Sequence, residues 1–235
     1  MIDAINAEPL VFVAHVGDIT SGEGPCSDEW LVARLAQFGR IRHPFVLLPG
    51  DNEWTDCHRG GFDPLERLAA WRKHFCLRMP EVGLVRQAGE HCEHVRWEVD
   101  GLVFVGLNVP GSNNNLGRTP AMDAEHEKRM RAALEWLAEA ESLARTRAGL
   151  VVLMHADPDF EGRFARKADG FAALRARLKE IAARLGKPLV VVHGDSHRYR
   201  DDLPAPGLRR IVVWGSPHVR WLRATWGGGK LSVED

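Results

Sequence analysis

Side chains able to hold a metal or carry a proton recur at the ends of apolar runs in this sequence. Leu10 to Val16 ends in Gly17-Asp18, Pro44 to Leu48 in Pro49-Gly50-Asp51, and Leu102 to Leu107 in Asn108. Leu150 to Met154 ends in His155, and Leu189 to Val192 in His193-Gly194-Asp195-Ser196-His197. Carboxylate and imidazole together suit zinc, manganese and iron. Two such metals about 3.5–4 Å apart can clamp a phosphoryl group and generate hydroxide near neutral pH. Each residue also has a plainer reading. Gly-Asp after a strand is a common turn, because Gly permits unusual dihedrals and Asp caps nearby amides. His155, directly after an apolar run, and His193 and His197, four residues apart, are harder to read as turns. Asn108 fits a ligand, a substrate contact or a turn residue, and a loop role suits it best. His43, His74, His91, His94, His126 and His218 have no matching partners at strand ends.

The elements that must position these residues follow from the same runs. Short segments, apolar throughout and rich in Val, Leu and Phe, read as strands covered on both faces. Helical patterns lie between them. Leu31, Leu35 and Phe38 share a face, and Leu65 to Phe75 follows Asp63-Pro64, a cap and first turn. Asp123 to Thr146 carries an apolar stripe amid dense charge, and Phe171 to Leu185 repeats apolar residues at three and four. Glu93 to Asp100 turns through Asp100-Gly101 into the next strand as a hairpin. Leu208 to Trp226 reads as further strands with no helix between them. Alternating strands and helices imply an α/β layered domain, and two sheets flanked by helices fit the mixture. Long polar loops at Thr20–Asp28, Asn52–Phe62 and Pro110–Ala121 have the length of functional loops.

The length of 235 residues suits one domain over 1–235, and 45% hydrophobic residues suffice for a sizeable core. Formal net charge is -1, so no broad field draws nucleic acid or an anionic membrane. A small anionic substrate then needs a local site. No apolar run approaches the ~20 residues of a membrane span. The eight tryptophans show no grouping and read as core or loop anchors, with Trp54 worth watching because it follows Gly50-Asp51-Asn52-Glu53. Arg163, Arg166 and Lys167 read as a solvated face. No Gly-x-Gly-x-x-Gly joins a strand to a helix, which argues against a dinucleotide site.

The ordered set resembles the calcineurin-like metallophosphoesterases. That family carries Asp-x-His, Gly-Asp, Gly-Asn-His-Asp/Glu, a lone His and Gly-His-x-His in this order. Gly17-Asp18 is similar to the second block and Gly50-Asp51-Asn52-Glu53 to the third. His155 matches the fourth, and Gly194-Asp195-Ser196-His197 is similar to the fifth. The agreement covers about residues 8–200. The stretches HVGDITSGEGPCSDE, LLPGDNEWTDCHRGG, LNVPGSNNN and VVHGDSHRYR resemble a bacterial branch of the superfamily. The resemblance implies a four-layer α/β/β/α sandwich with two mixed sheets, and hydrolysis of a phosphomonoester or phosphodiester by metal-bound hydroxide. Two divalent ions (manganese, zinc or iron) are expected in the family, or one here. It implies Asp18 bridging two metals and Asp51 in place of the usual Asn ligand. It implies His155 and Asp195 on the second metal and His197 on the first. A one-residue shift, making Asn52 the ligand, stays open. Asn52 also falls where the family has a His that aids the leaving group; Asn cannot donate a proton as an imidazolium does, so His58 or His193 is the substitute. Asn108, Asn113 and His58 are the candidate substrate contacts.

The family's first strand and Asp-x-His block would precede residue 1, and the expectation is a shortened or truncated start, with two ligands of the first metal absent. Strand edges exposed in that way favour a homo-oligomer. The N-terminus shows no signal pattern as written, which reads as cytoplasmic, or as secreted or periplasmic if a segment lies upstream. Cys26 and Cys57 sit in loops beyond metal-binding strand ends, and a disulfide between them is expected, against two reduced thiols in a cytosolic protein. Two rival readings remain: an impaired family member with an incomplete metal site, and a non-metal binding module built on the Asn113–Asn115 loop.

Overall fold

The structure, a computed structural model, describes residues 1–77, 82–163 and 168–234; Arg166 and Lys167 of the basic run lie outside these. In chain order the elements are α1 (Ile2–Asn6), β1 (Val13–His15), α2 (Asp28–Phe38), β2 (Phe45–Leu47), a 3-10 helix (Thr55–Gly60) and α3 (Pro64–Phe75). Then follow β3 (Val85–Arg86), β4 (Val95–Val99), β5 (Leu102–Gly106), α4 (Gly111–Asn114), α5 (Pro120–Ala144), β6 (Gly149–Leu153) and α6 (Ala172–Arg184). The chain closes with β7 (Leu189–His193), β8 (Arg200–Ala205), β9 (Leu208–Val212), β10 (Arg223–Gly227) and β11 (Lys230–Glu234).

The capping residues start the helices. Ser27 Oγ accepts from Trp30 N at α2, Asp63 accepts from Leu65 N and Glu66 N at α3, and Thr119 accepts from Met122 N at α5. Pro at the first helical position of α3 and α5 removes an N–H that would have no partner there. Asp100 and Gly101 both have positive φ, the geometry of a tight turn joining β4 to β5.

Seven strands form one mixed sheet in the order β3-β4-β5-β6-β7-β9-β8, with β5, β6, β7 and β9 parallel. Side-chain alternation splits it between two cores. Val103, Val105, Leu150, Val152, Leu189 and Val191 face α5 and α6. Leu102, Phe104, Val151, Leu153 and Val190 face the other way, against Val16 and Leu48 flanking β1 and β2 and Leu231 of the β10–β11 hairpin. A third cluster joins α2 and α3 through Leu31, Ala70, Trp71 and Phe75, with Leu47 of β2 packed on it. The result is an α/β/β/α layering. Its second β layer is not one mixed sheet: it consists of a parallel pair, β1-β2, and an antiparallel pair, β10-β11. β8 and β11 stand outside the Leu208–Trp226 region read as strands. β8 carries Asp201, Asp202 and Pro204 and shifts register between Asp202 and Ala205, as an edge strand tolerates. Among the described residues no helix is long and apolar enough to cross a membrane.

Candidate metal centre

The loops leaving β1, β2, β6 and β7 bring Asp18, Asp51, His155 and Asp195 together, beyond the carboxyl ends of parallel strands. Gly17 makes the first approach feasible. Its φ is +101°, and a Cβ there would collide with the backbone of Gly50, so the two loops touch main chain to main chain. Asp18 and Asp195 themselves sit at φ 63° and 64°, the left-handed region that Asp tolerates. The turn reading and the site reading of these residues are thus compatible.

His155 is the centre of the group. Its Nδ1 lies 2.8 Å from the Val16 carbonyl, which only accepts, so Nδ1 holds a proton. Nε2 lies 3.3 Å from Asp18 Oδ1, 3.4 Å from Asp51 Oδ1 and 3.9 Å from Asp195 Oδ1, yet it is buried without a well-formed hydrogen bond. Charge-assisted bonds are shorter, about 2.7–2.9 Å. These atoms surround a point more than they bond to one another. One ligand atom each from Asp18, Asp51 and His155 fall within 4.8 Å of one another. Ligands about 2.1 Å from an ion stand roughly 3.0–3.4 Å apart in octahedral or tetrahedral arrangement, so the 3.3 and 3.4 Å distances of His155 Nε2 from Asp18 and Asp51 fit a divalent ion.

The electrostatics point the same way. Among the described residues no Lys or Arg pairs with Asp18, Asp51 or Asp195; their ion pairs are to His155. Burial, then Glu53 and Asp51 nearby, push the Asp18 carboxyl up to about 8 despite His155. Burial also raises Asp195. Asp51 is held below the usual carboxylate range: burial opposes its charge, but the nearby His155 imidazole and the other polar groups around it outweigh this. Burial likewise opposes a charge on His155, yet Asp18, Asp51 and Asp195 together push it up to about 10. A buried group of carboxylates this short of positive charge has the composition of a cation site.

Two residues with no assigned role in the sequence build this centre. Glu53, 1% exposed, accepts from Gly50 N at 2.7 Å and Asp18 N at 3.2 Å through Oε1, tying the loops after β1 and β2. Gly111 packs directly on the carboxylates: a Cβ there would collide with Asp51 Oδ2 and stand 3.0 Å from Asp195 Oδ2. The signal for Glu53 was its place in Gly50-Asp51-Asn52-Glu53; for Gly111 only the loop length gave one.

The other expected residues have different places. Asn52 N donates to Asp18 Oδ1 at 3.3 Å and its Nδ2 to the Thr20 carbonyl at 3.1 Å, so it flanks the centre. His193 is fully buried and alternates onto the helix-covered face with Leu189 and Val191; burial pulls it down to about 4. A neutral, enclosed imidazole does not suit a proton donor. His197, exposed and at φ 58°, has Nδ1 3.0 Å from the Ser216 carbonyl. Asn108 is fully buried, donates to Glu93 Oε1 at 3.2 Å and stands away from solvent. His58 is exposed, with Nδ1 3.0 Å from the Thr55 carbonyl.

Asn113, Asn114 and Asn115 continue a left-handed run from Ser112, with φ between 48° and 67°. Their amides are engaged within the chain. Asn113 donates to Leu116 O and Ala168 O, Asn114 to Gly170 O and Asn115 to Glu125. Arg129, fully buried, donates to the Asn114 side chain at 2.7 Å and to the Asn108 carbonyl at 2.8 Å. The loop therefore serves as a wall: Gly111, Ser112 and Asn113 line a cavity of about 270 Å³ with Asp157, Arg163 and Asp195. This engagement counts against the loop as a binding module in its own right. The Cys26–Cys57 disulfide forms as expected, and a second, Cys76–Cys92, was not foreseen.

The sequence model of the calcineurin-like phosphoesterases matches residues 1–199. No curated protein matches the chain.

Proposed function

The chain belongs to the calcineurin-like phosphoesterase family, and from that footing we propose that it hydrolyses a small phosphomonoester or phosphodiester at a divalent metal held by Asp18, Asp51, His155 and Asp195. The observation that carries the reading is the convergence of three carboxylates on one buried, unbonded imidazole nitrogen. The donor set suits manganese, zinc or iron. When bound, such a metal supplies Lewis acidity to a phosphoryl oxygen and lowers the pKa of water. The protein's own residues fix the arrangement. Val16 O holds the His155 tautomer that leaves Nε2 as the donor atom. Glu53 sets the spacing of the Asp18 and Asp51 loops, and Asn52 fills the flank where a substrate oxygen would lie. The cluster supports one metal: Asp18, Asp51 and His155 are the residues whose ligand atoms group together there. We read residues 1–235 as one functional unit, and two disulfides support an oxidising compartment.

Elemental analysis after loading with manganese, zinc or iron and desalting tests the site. The expected result is about one metal per chain in the wild type and near none in His155→Ala. Equal metal in both proteins would refute the assignment.

A further inference from the structure

Beside the carboxylate cluster lies an arrangement of opposite charge. Asp56, at the start of the 3-10 helix, has a side chain only 2% exposed. Arg59 Nη2 binds its Oδ2 at 2.8 Å, Arg118 Nη2 approaches its Oδ1 at 3.3 Å, and Ser112 Oγ donates to Oδ1 at 2.6 Å. One buried carboxylate thus holds two guanidinium groups, and the trio carries one net positive charge. The arginines are not enclosed: their side chains are 45% and 26% exposed. Among the described residues their hydrogen bonds use the Nη groups, to Asp56, to the Gly22 and Thr55 carbonyls and around His58 Nδ1, and neither Nε.

Each arginine is linked to the metal centre through intervening residues, Arg59 through Asn52 and Arg118 through Asp56 and Ser112. Arg59 Nη1 and Asn52 Oδ1 both lie within 3.1 Å of the point where a Gly22 Cβ would stand, and Asn52 N donates to Asp18. Ser112 follows Gly111, which rests on Asp51 and Asp195, and Ser112 lines the same cavity as Asp195. Asp56 N itself donates to Asp51 O at 2.9 Å. Asp56 accepts from both arginines but neutralises only one of their two charges.

We propose that Arg59 and Arg118, yoked by Asp56, form an anion subsite that takes a second oxyanion of the substrate, phosphate or carboxylate, while the reacting phosphoryl group occupies the metal centre. The substrate class is then a phosphoester carrying another anionic group. Guanidinium groups suit this role because their planar donors match oxyanion geometry and stay charged at every working pH. The inference rests on the phosphoesterase reading of the adjacent site.

Calorimetric binding to the manganese-loaded full chain tests it without turnover. The probes are straight alkane diphosphonates with two to six carbons between the phosphonates, and the matching alkylphosphonates. The wild type is expected to prefer the best diphosphonate at least tenfold, beyond the twofold statistical advantage of two ends. In Arg59→Gln/Arg118→Gln the preference is expected to fall to that statistical factor. Should the double variant lose its fold because Asp56 stays buried without partners, Arg59→Gln alone reads the same quantity, with a loss of at least threefold. No preference in the wild type would overturn the proposal. A preference retained in the variants would assign the second group to the metal and also overturn it. Failure of the phosphoesterase reading shows separately, as absence of bis-p-nitrophenyl phosphate hydrolysis by the loaded wild type.

Discussion

Gly111 illustrates how a residue without a functional side chain can govern the centre. Its Cα faces two carboxylates so closely that even a methyl group displaces Asp51 Oδ2. Gly111→Ala is expected to weaken manganese binding at least tenfold in calorimetry while the thermal midpoint changes by only a few degrees, as overpacking at one loop position permits. Unchanged affinity would show that the loop yields. At this scale the sequence was informative where a chemical side chain ended an apolar run: Asp18, Asp51, His155 and Asp195 all meet. It was uninformative for His193 and His197. Four residues apart, they resemble a ligand pair, but His193 is the last residue of β7 and alternation turns it to the helix side. Facing is decided by strand register, which spacing across the strand end does not show.

The loops between elements are held by cross-links as much as by packing. The Cys26–Cys57 bridge, 31 residues apart, joins the loop after β1 to the 3-10 helix after β2. Cys26→Ser/Cys57→Ser is expected to cost about 3–4 kcal/mol in denaturant unfolding of the oxidised protein. A loss below 1 kcal/mol would mean that the loops are positioned without it. The five apolar runs and the four longer helices were legible because burial on two faces and 3.6-residue periodicity both leave marks in composition. β3 and β8 were not, for they are short or polar and lie at the sheet edges. The left-handed turn at Ser112–Asn115 was legible only as a long Asn-rich loop, since its conformation depends on Arg129, Glu125 and Gly170 from elsewhere in the chain.

Buried charge runs through the whole molecule, and it sets the response to acid. Glu93, fully buried, joins Arg72 of α3 to Asn108 beyond β5. Burial opposes its charge, but His91 nearby at 3.6 Å and the bound Arg72 guanidinium outweigh this and hold the carboxyl far below its usual range. A depressed acid contributes stability that is present above the unfolded-state pKa, about 4.5, and is lost as pH falls below it. Urea unfolding is therefore expected to show stability declining from pH 5 to 3, with a smaller decline in Glu93→Gln; an equal decline would place the acid sensitivity elsewhere. The layered α/β/β/α arrangement places the ends of β1, β2, β6 and β7 around one point, where we propose that a phosphoester is hydrolysed at a metal. The most direct test is hydrolysis of bis-p-nitrophenyl phosphate and p-nitrophenyl phosphate by protein loaded with manganese, zinc or iron, in the wild type and in Asp18→Ala. The prediction is turnover of at least one substrate with at least one metal, falling at least about a hundredfold in the variant, the scale of losing one electrostatic contributor. Turnover that survives Asp18→Ala, or metal retention without turnover of either ester, would contradict it.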